Sequence, residues 1–98
     1  MIISFRTDAT KDIYHGINSK EAKAFPHTIW KSAFRKMDMI NAAVKLEDLR
    51  VPPGNRLHPL SGDKEGHHRI SINDQYRIIF RFQDSNAYDV EITDYLRR

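Results

Sequence analysis

Two hydrophobic periods divide this chain. After Pro26 the apolar positions Trp30, Ala33, Phe34, Met37, Ile40 and Val44 recur every three or four residues, which places them on one stripe of a helix, with Lys31, Arg35, Lys36 and Asp38 mostly off it. Pro26 fits the first turn of that helix, where a missing N–H costs nothing. Pro52-Pro53-Gly54 ends the helical half, and beyond it the period drops to two. Residues 68–72 and 76–82 read as strands joined through Asn73-Asp74-Gln75, and Asp84-Ser85-Asn86 turns into another strand over 88–93. At the start, Ile2, Ile3 and Phe5 predict an opening strand over residues 1–6. Thr7 or Asp8 then caps a short helix running to about His15, where Gly16 and Asn18 stop it. Strand, helix, helix and three or four short strands predict an α+β fold, two N-terminal helices packed on a mostly antiparallel, twisted sheet.

Strand alternation sorts the second half into two faces. Ile70, Ile72, Tyr76, Ile78, Phe80, Phe82, Val90 and Ile92 share one parity and should meet the helices. The opposite parity gathers Arg69, Ser71, Arg77, Ile79, Arg81, Asp89, Glu91, Thr93 and, if the strand continues, Tyr95. Two readings of that face are open. The arginines can pair across strands with Asp89 and Glu91 and merely solvate the sheet, or they can seat an RNA phosphate beside a base stacked on the tyrosine. Composition alone favours the first.

The bulk numbers narrow the field only a little. Ninety-eight residues suit one domain over 1–98 with a single core, and 40% hydrophobic with 30% charged residues argues against disorder. A net charge of +3 permits a polyanionic partner without demanding one. Neither half is a basic tail, so an anion site has to come from how the fold sorts its charges. With no cysteine, no signal-like start and no apolar run long enough to span a membrane, a cytoplasmic location is expected. The five histidines, including His67-His68, match no zinc spacing. No glycine-rich phosphate loop or nucleophile-elbow serine is present either.

Four ordered blocks carry a more specific signal. Pro52-Pro53-Gly54-Asn55-Arg56-Leu57, then Leu60-x-Gly62-Asp63-Lys64-x-Gly66, then Ser71-Ile72-Asn73-Asp74-Gln75-Tyr76-Arg77, then Val90-Glu91-Ile92-x-Asp94-Tyr95 resemble the HigB branch of the RelE-like toxins, small bacterial ribonucleases of toxin–antitoxin pairs. The likeness extends back through Leu46-Glu47-Asp48-Leu49-Arg50. It implies a fold like that of microbial ribonucleases and cleavage of mRNA in the ribosomal A site, with neither metal nor cofactor. It also implies a HigA-like helix-turn-helix antitoxin as partner, with DNA reached only through that complex and no membrane role. Among the residues, it implies catalytic parts for four. Arg77 would clamp the phosphate, His58 would exchange a proton near neutral pH, Asp94 would orient a base or accept a proton, and Tyr95 would stack or position the 2′-OH. Arg56, Lys64, His68, Arg69 and Arg81 would contact RNA.

The chain departs from the family pattern in two places. Leu96 stands where many relatives continue Asp-Tyr with His, and Ser61 where they often carry Lys. Arg97 and Arg98 follow and can restore phosphate contact, but an arginine does not readily accept a proton. A non-catalytic protein that binds RNA, ribosome or antitoxin and acts as a co-repressor is therefore a rival reading, with a structural adaptor as a second.

Overall fold

Helix α1, Asp8–Tyr14, begins where the sequence predicts, with the Thr7 hydroxyl accepting from the Thr10 backbone N–H at 3.2 Å. This satisfies one of the orphan donors of the first turn. It stops at His15, and Gly16 follows at a φ of 73°, a conformation costly for residues with a Cβ. Helix α2, Trp30–Ala42, is preceded by a short 3₁₀ turn over His27–Ile29, so Pro26 caps that turn rather than lying inside α2. The computed structural model describes residues 1–94.

Only part of the helical stripe is core. Ala33, Met37 and Ile40 are fully buried and Trp30 packs against them, but Phe34 and Val44 are exposed. A residue adjacent to Ala33 is rotated by about 100° around the helix, which carries Phe34 to the flank, stacked on Tyr14 at 5.5 Å. Val44 lies past the last turn of α2, and Ala43 takes the inward place at its end.

Among the described residues four strands form one antiparallel sheet in chain order: β1, His58–Pro59; β2, His67–Ser71; β3, Tyr76–Gln83; and β4, Asn86–Asp94. The predicted opening strand is reduced to two isolated parallel bridges, Ile2 with Ala87 and Phe5 with Val90, tied by bonds such as Ile3 N–H to Ala87 C=O at 2.8 Å. The helices cover one face, where Ile70, Ile78, Phe80, Val90 and Ile92 are buried as their parity predicts. Thr10 rivets α1 to the sheet, its hydroxyl accepting from the buried Ile92 N–H at 3.0 Å. Both strand ends turn on side chains suited to the task. The Asn73 side chain accepts from the Gln75 and Tyr76 N–H groups at 2.8 and 2.7 Å, and Asp84 and Ser85 both take the positive φ of a two-residue hairpin loop.

A bulge opposite Phe80 breaks strict alternation. Ile79 pairs with Glu91 and Arg81 with Tyr88, and Asp89 takes a φ of 55° at the extra position. Ala87 and Val90 thus both point inward, while Tyr88 joins the arginine face. That face is not wholly wet, because Ile79 lies on it at 5% exposure.

Candidate active site

On the uncovered face, register sets three rows of side chains across the strands. Arg77 stands between Ser71 and Thr93, Arg69 between His58 and Ile79, and Arg81 between His67 and Tyr88. Arg69 and Arg77 meet Arg56, delivered by the loop before β1, in one cleft of about 160 Å³ completed by Ser71, Asn73, Asp74 and Tyr76. Among the described residues three guanidinium groups and a single carboxylate line this cleft and leave it cationic. Among the described residues neither Arg56 nor Arg69 forms an ion pair, so their charge is available to an anion. Arg77 is half-buried, and its Nε donates to the Thr93 hydroxyl at a long 3.4 Å.

Arg81 follows the blander reading. Its Nε donates to the Asp89 carboxylate at 3.0 Å, and its guanidinium lies 5.3 Å from the centre of the Tyr88 ring. The bulge produces this arrangement by turning both Tyr88 and Asp89 outward. Glu91, the other expected acidic partner, pairs instead with Arg6 at 3.6 Å.

The remaining expected residues are distributed unevenly. His58 is exposed on the edge strand, opposite Arg69 and next to the cleft. Lys64 is in a 3₁₀ turn, Gly62–Lys64, and does not line the cleft. His68 has the inward parity of Ile70, lying opposite Phe80 with its ring 6.5 Å from that phenyl and therefore on the other face of the sheet from Arg69. Burial lowers its imidazole below the ordinary value of 6.5, helped by the charges of Arg50, His58 and His67. Its Nδ1 is buried without a hydrogen-bond partner among the described residues. Asp94 pairs in register with Tyr76 and accepts from Gln75 Nε2 at 3.1 Å, which gives it the parity opposite Arg77 at the end of β4. Tyr95 and Leu96 lie outside the described residues.

Asn73 and Asp74, read from the sequence as a hairpin loop within a family block and given no part in the site, line the cleft. Their position depends on the β2–β3 loop folding back beside Arg77, a relation that period-two reasoning within a strand does not contain.

Residues 3–96 match the family described as RelE-like toxin of type II toxin-antitoxin system HigB. Toxin HigB-1 of Vibrio cholerae serotype O1 is 36% identical over 87 residues, covering 89% of this chain and 90% of that protein. Endoribonuclease HigB of Proteus vulgaris is 32% identical over 89 residues, covering 74% of this chain and 97% of that protein. Among solved structures, YafQ from E. coli strain BL21(DE3) shares the fold with a TM-score of 0.57 at 14% identity, over 96% of this chain and 93% of that one.

Proposed function

Because the chain belongs to the HigB-like family of RelE-like toxins from type II toxin–antitoxin systems, we propose that it is a cytoplasmic, ribosome-dependent endoribonuclease that cuts translated mRNA in the A site. The observation that carries this reading is the convergence of Arg56, Arg69 and Arg77 on one cleft with His58 at its side. In the reaction the ribose 2′-OH attacks the adjacent phosphorus, the bond to the 5′-oxygen breaks, and a 2′,3′-cyclic phosphate remains. The proton leaving the 2′-oxygen goes to a base, and the departing 5′-oxygen takes one from an acid. Charge accumulating on the phosphorane is met by the guanidinium groups, Arg77 above all, since a guanidinium stays charged and offers paired donors to phosphate oxygens. His58 is the side chain best suited to exchange a proton near neutral pH. Asp94 and Tyr95 join the set by family likeness alone.

A type II toxin has a cognate antitoxin. Here we take it to be of the HigA helix-turn-helix kind, so that DNA is reached only through the complex. Leu96 favours the second reading, a catalytically silent RNA- and antitoxin-binding co-repressor. Inducing the chain without its antitoxin and mapping the 5′ ends of cellular mRNA separates the two. Cuts locked to codon position inside translated regions are expected of the nuclease, and intact mRNA with retained antitoxin binding would establish the co-repressor.

A further inference from the structure

Arg56 reaches the cleft from the loop before β1, between Asn55 and Leu57, which packs against the core. Pro52, Pro53, Gly54 and Arg56 are all exposed, yet Asn55 in their midst is fully buried. Its carboxamide is used at both ends. Oδ1 accepts from Lys36 Nζ on α2, and Nδ2 donates to the Leu49 carbonyl at 3.1 Å, with Met39 Sδ at 3.8 Å. The backbone around it is a tight turn, with Asn55 N–H bonded to Pro52 C=O at 3.0 Å and Arg56 N–H to Pro53 C=O at 3.1 Å. The turn leaves Arg56 in the left-handed region, φ 51° and ψ 50°, a conformation unfavourable for a residue with a Cβ. A buried amide satisfied by two separate elements is what keeps that unfavourable conformation in place, since its loss would strand buried polar groups.

We propose that Asn55 is a positioning residue for the anion cleft, locking the loop to α2 through Lys36 so that Arg56 is held opposite Arg69 and Arg77. The proposal rests on the reading of the cleft as an RNA-backbone site. Asn55 touches no substrate. It acts through Arg56, and removing either should therefore remove the same phosphate contact.

The test is a double-mutant cycle read through salt dependence. The probe is a single-stranded RNA oligonucleotide with 2′-O-methyl riboses, which cannot be cut, and its affinity is measured at several salt concentrations for the full chain and its variants. Each phosphate contact contributes roughly 0.7 to the slope of log affinity against log salt for a single strand. Arg56→Ala and Asn55→Ala should each flatten the slope by about that amount, and the double variant no further. Combining Asn55→Ala with Arg69→Ala should flatten it by about twice as much. Should Asn55→Ala fail to fold, Lys36→Met removes only the ammonium that Asn55 Oδ1 accepts. A slope loss for Lys36→Met that vanishes in the Arg56→Ala background supports the lock. A full wild-type slope in folded Asn55→Ala, or additivity of either variant with Arg56→Ala, overturns it. A wild type whose binding ignores salt overturns the cleft reading itself, and the positioning role with it.

Discussion

Arg77 and Arg81 lie four residues apart on the same face of β3, yet under the proposed function they do different kinds of work. For Arg81→Ala the losses are structural. The pair with Asp89 is about 40% exposed on both sides, and such pairs are worth about 0.2–1 kcal/mol. The Tyr88 contact adds about 0.5–1 kcal/mol. Stability should fall by up to about 2 kcal/mol, while cleavage by the folded fraction should stay within a few-fold of wild type. For Arg77→Ala the order is reversed. Its bond to the Thr93 hydroxyl, at 3.4 Å, is near the limit of useful geometry, and the loss of that bond contributes no more than about 1 kcal/mol. Removing a preorganised charge donor from a reacting phosphate should cost about 10²–10³ in rate, equivalent to about 2.7–4 kcal/mol. Arg77→Lys should fall between, keeping charge but losing the paired donors. Single-turnover cleavage of ribosome-bound mRNA, beside urea unfolding of the same proteins, measures both quantities. Wild-type cleavage by folded Arg77→Ala, or a hundredfold loss in Arg81→Ala, would refute the division of roles.

The other expectations concern pH, salt and proton transfer. Because burial lowers the His68 imidazole below its unfolded value of 6.5, the unfolded chain takes up a proton first as pH falls. Stability should be full above that value, drop as pH passes below it, and level off beneath the folded value. Urea titrations between about pH 5 and 8, above the main carboxylate range, should show this drop in wild type and lose it in His68→Gln, and equal profiles would remove His68 as the source. With three cleft arginines the salt slope of RNA affinity should approach about −2, so affinity falls roughly 20-fold from about 50 to 200 mM salt. Arg69→Ala should flatten that slope and Lys64→Ala should not, and the opposite ranking would displace the site toward the Gly62–Lys64 turn. Leu96→His should raise single-turnover cleavage by no more than the ~10²–10⁴-fold of one general acid or base, and His58→Ala should lower it. Equal rates for wild type and both variants would show that neither imidazole position takes part.

Much of this arrangement was legible in the sequence because it depends on local periods. Alternation in residues 68–82 identified both the buried row through Ile70, Ile78 and Phe80 and the arginine row through Arg69 and Arg77, and Thr7 with Gly16 bounded α1. What escaped depended on single residues breaking the period or on distant segments meeting. The bulge at Asp89 is one extra residue, and alternation has no way to announce it, so the turn of Tyr88 onto the arginine face was invisible, although the pairing of Arg81 with Asp89 was one of the two readings left open. His68 shares a strand with Arg69 but not a face. The place of Arg56 beside Arg77 depends on Asn55 finding Lys36, 19 residues earlier, a contact that no pattern within either segment encodes. Phe34 and Val44 show the same limit in the helix, where an apolar stripe does not reveal how wide the covering surface is.

The parallel bridges of residues 1–6 to β4 bear on how the molecule comes into being. Residues 1–6 have as their sheet partner a strand that begins about eighty positions later, Asn86–Asp94, and Thr93 beside Arg77 comes from that same strand. Closing so long a loop is among the slowest events in folding, and during vectorial synthesis it cannot begin until β4 emerges. An interrupted product that stops before β4 has neither the partner for its beginning nor the outer wall of its arginine row. The hazard carried by a chain of this kind is therefore withheld from its fragments.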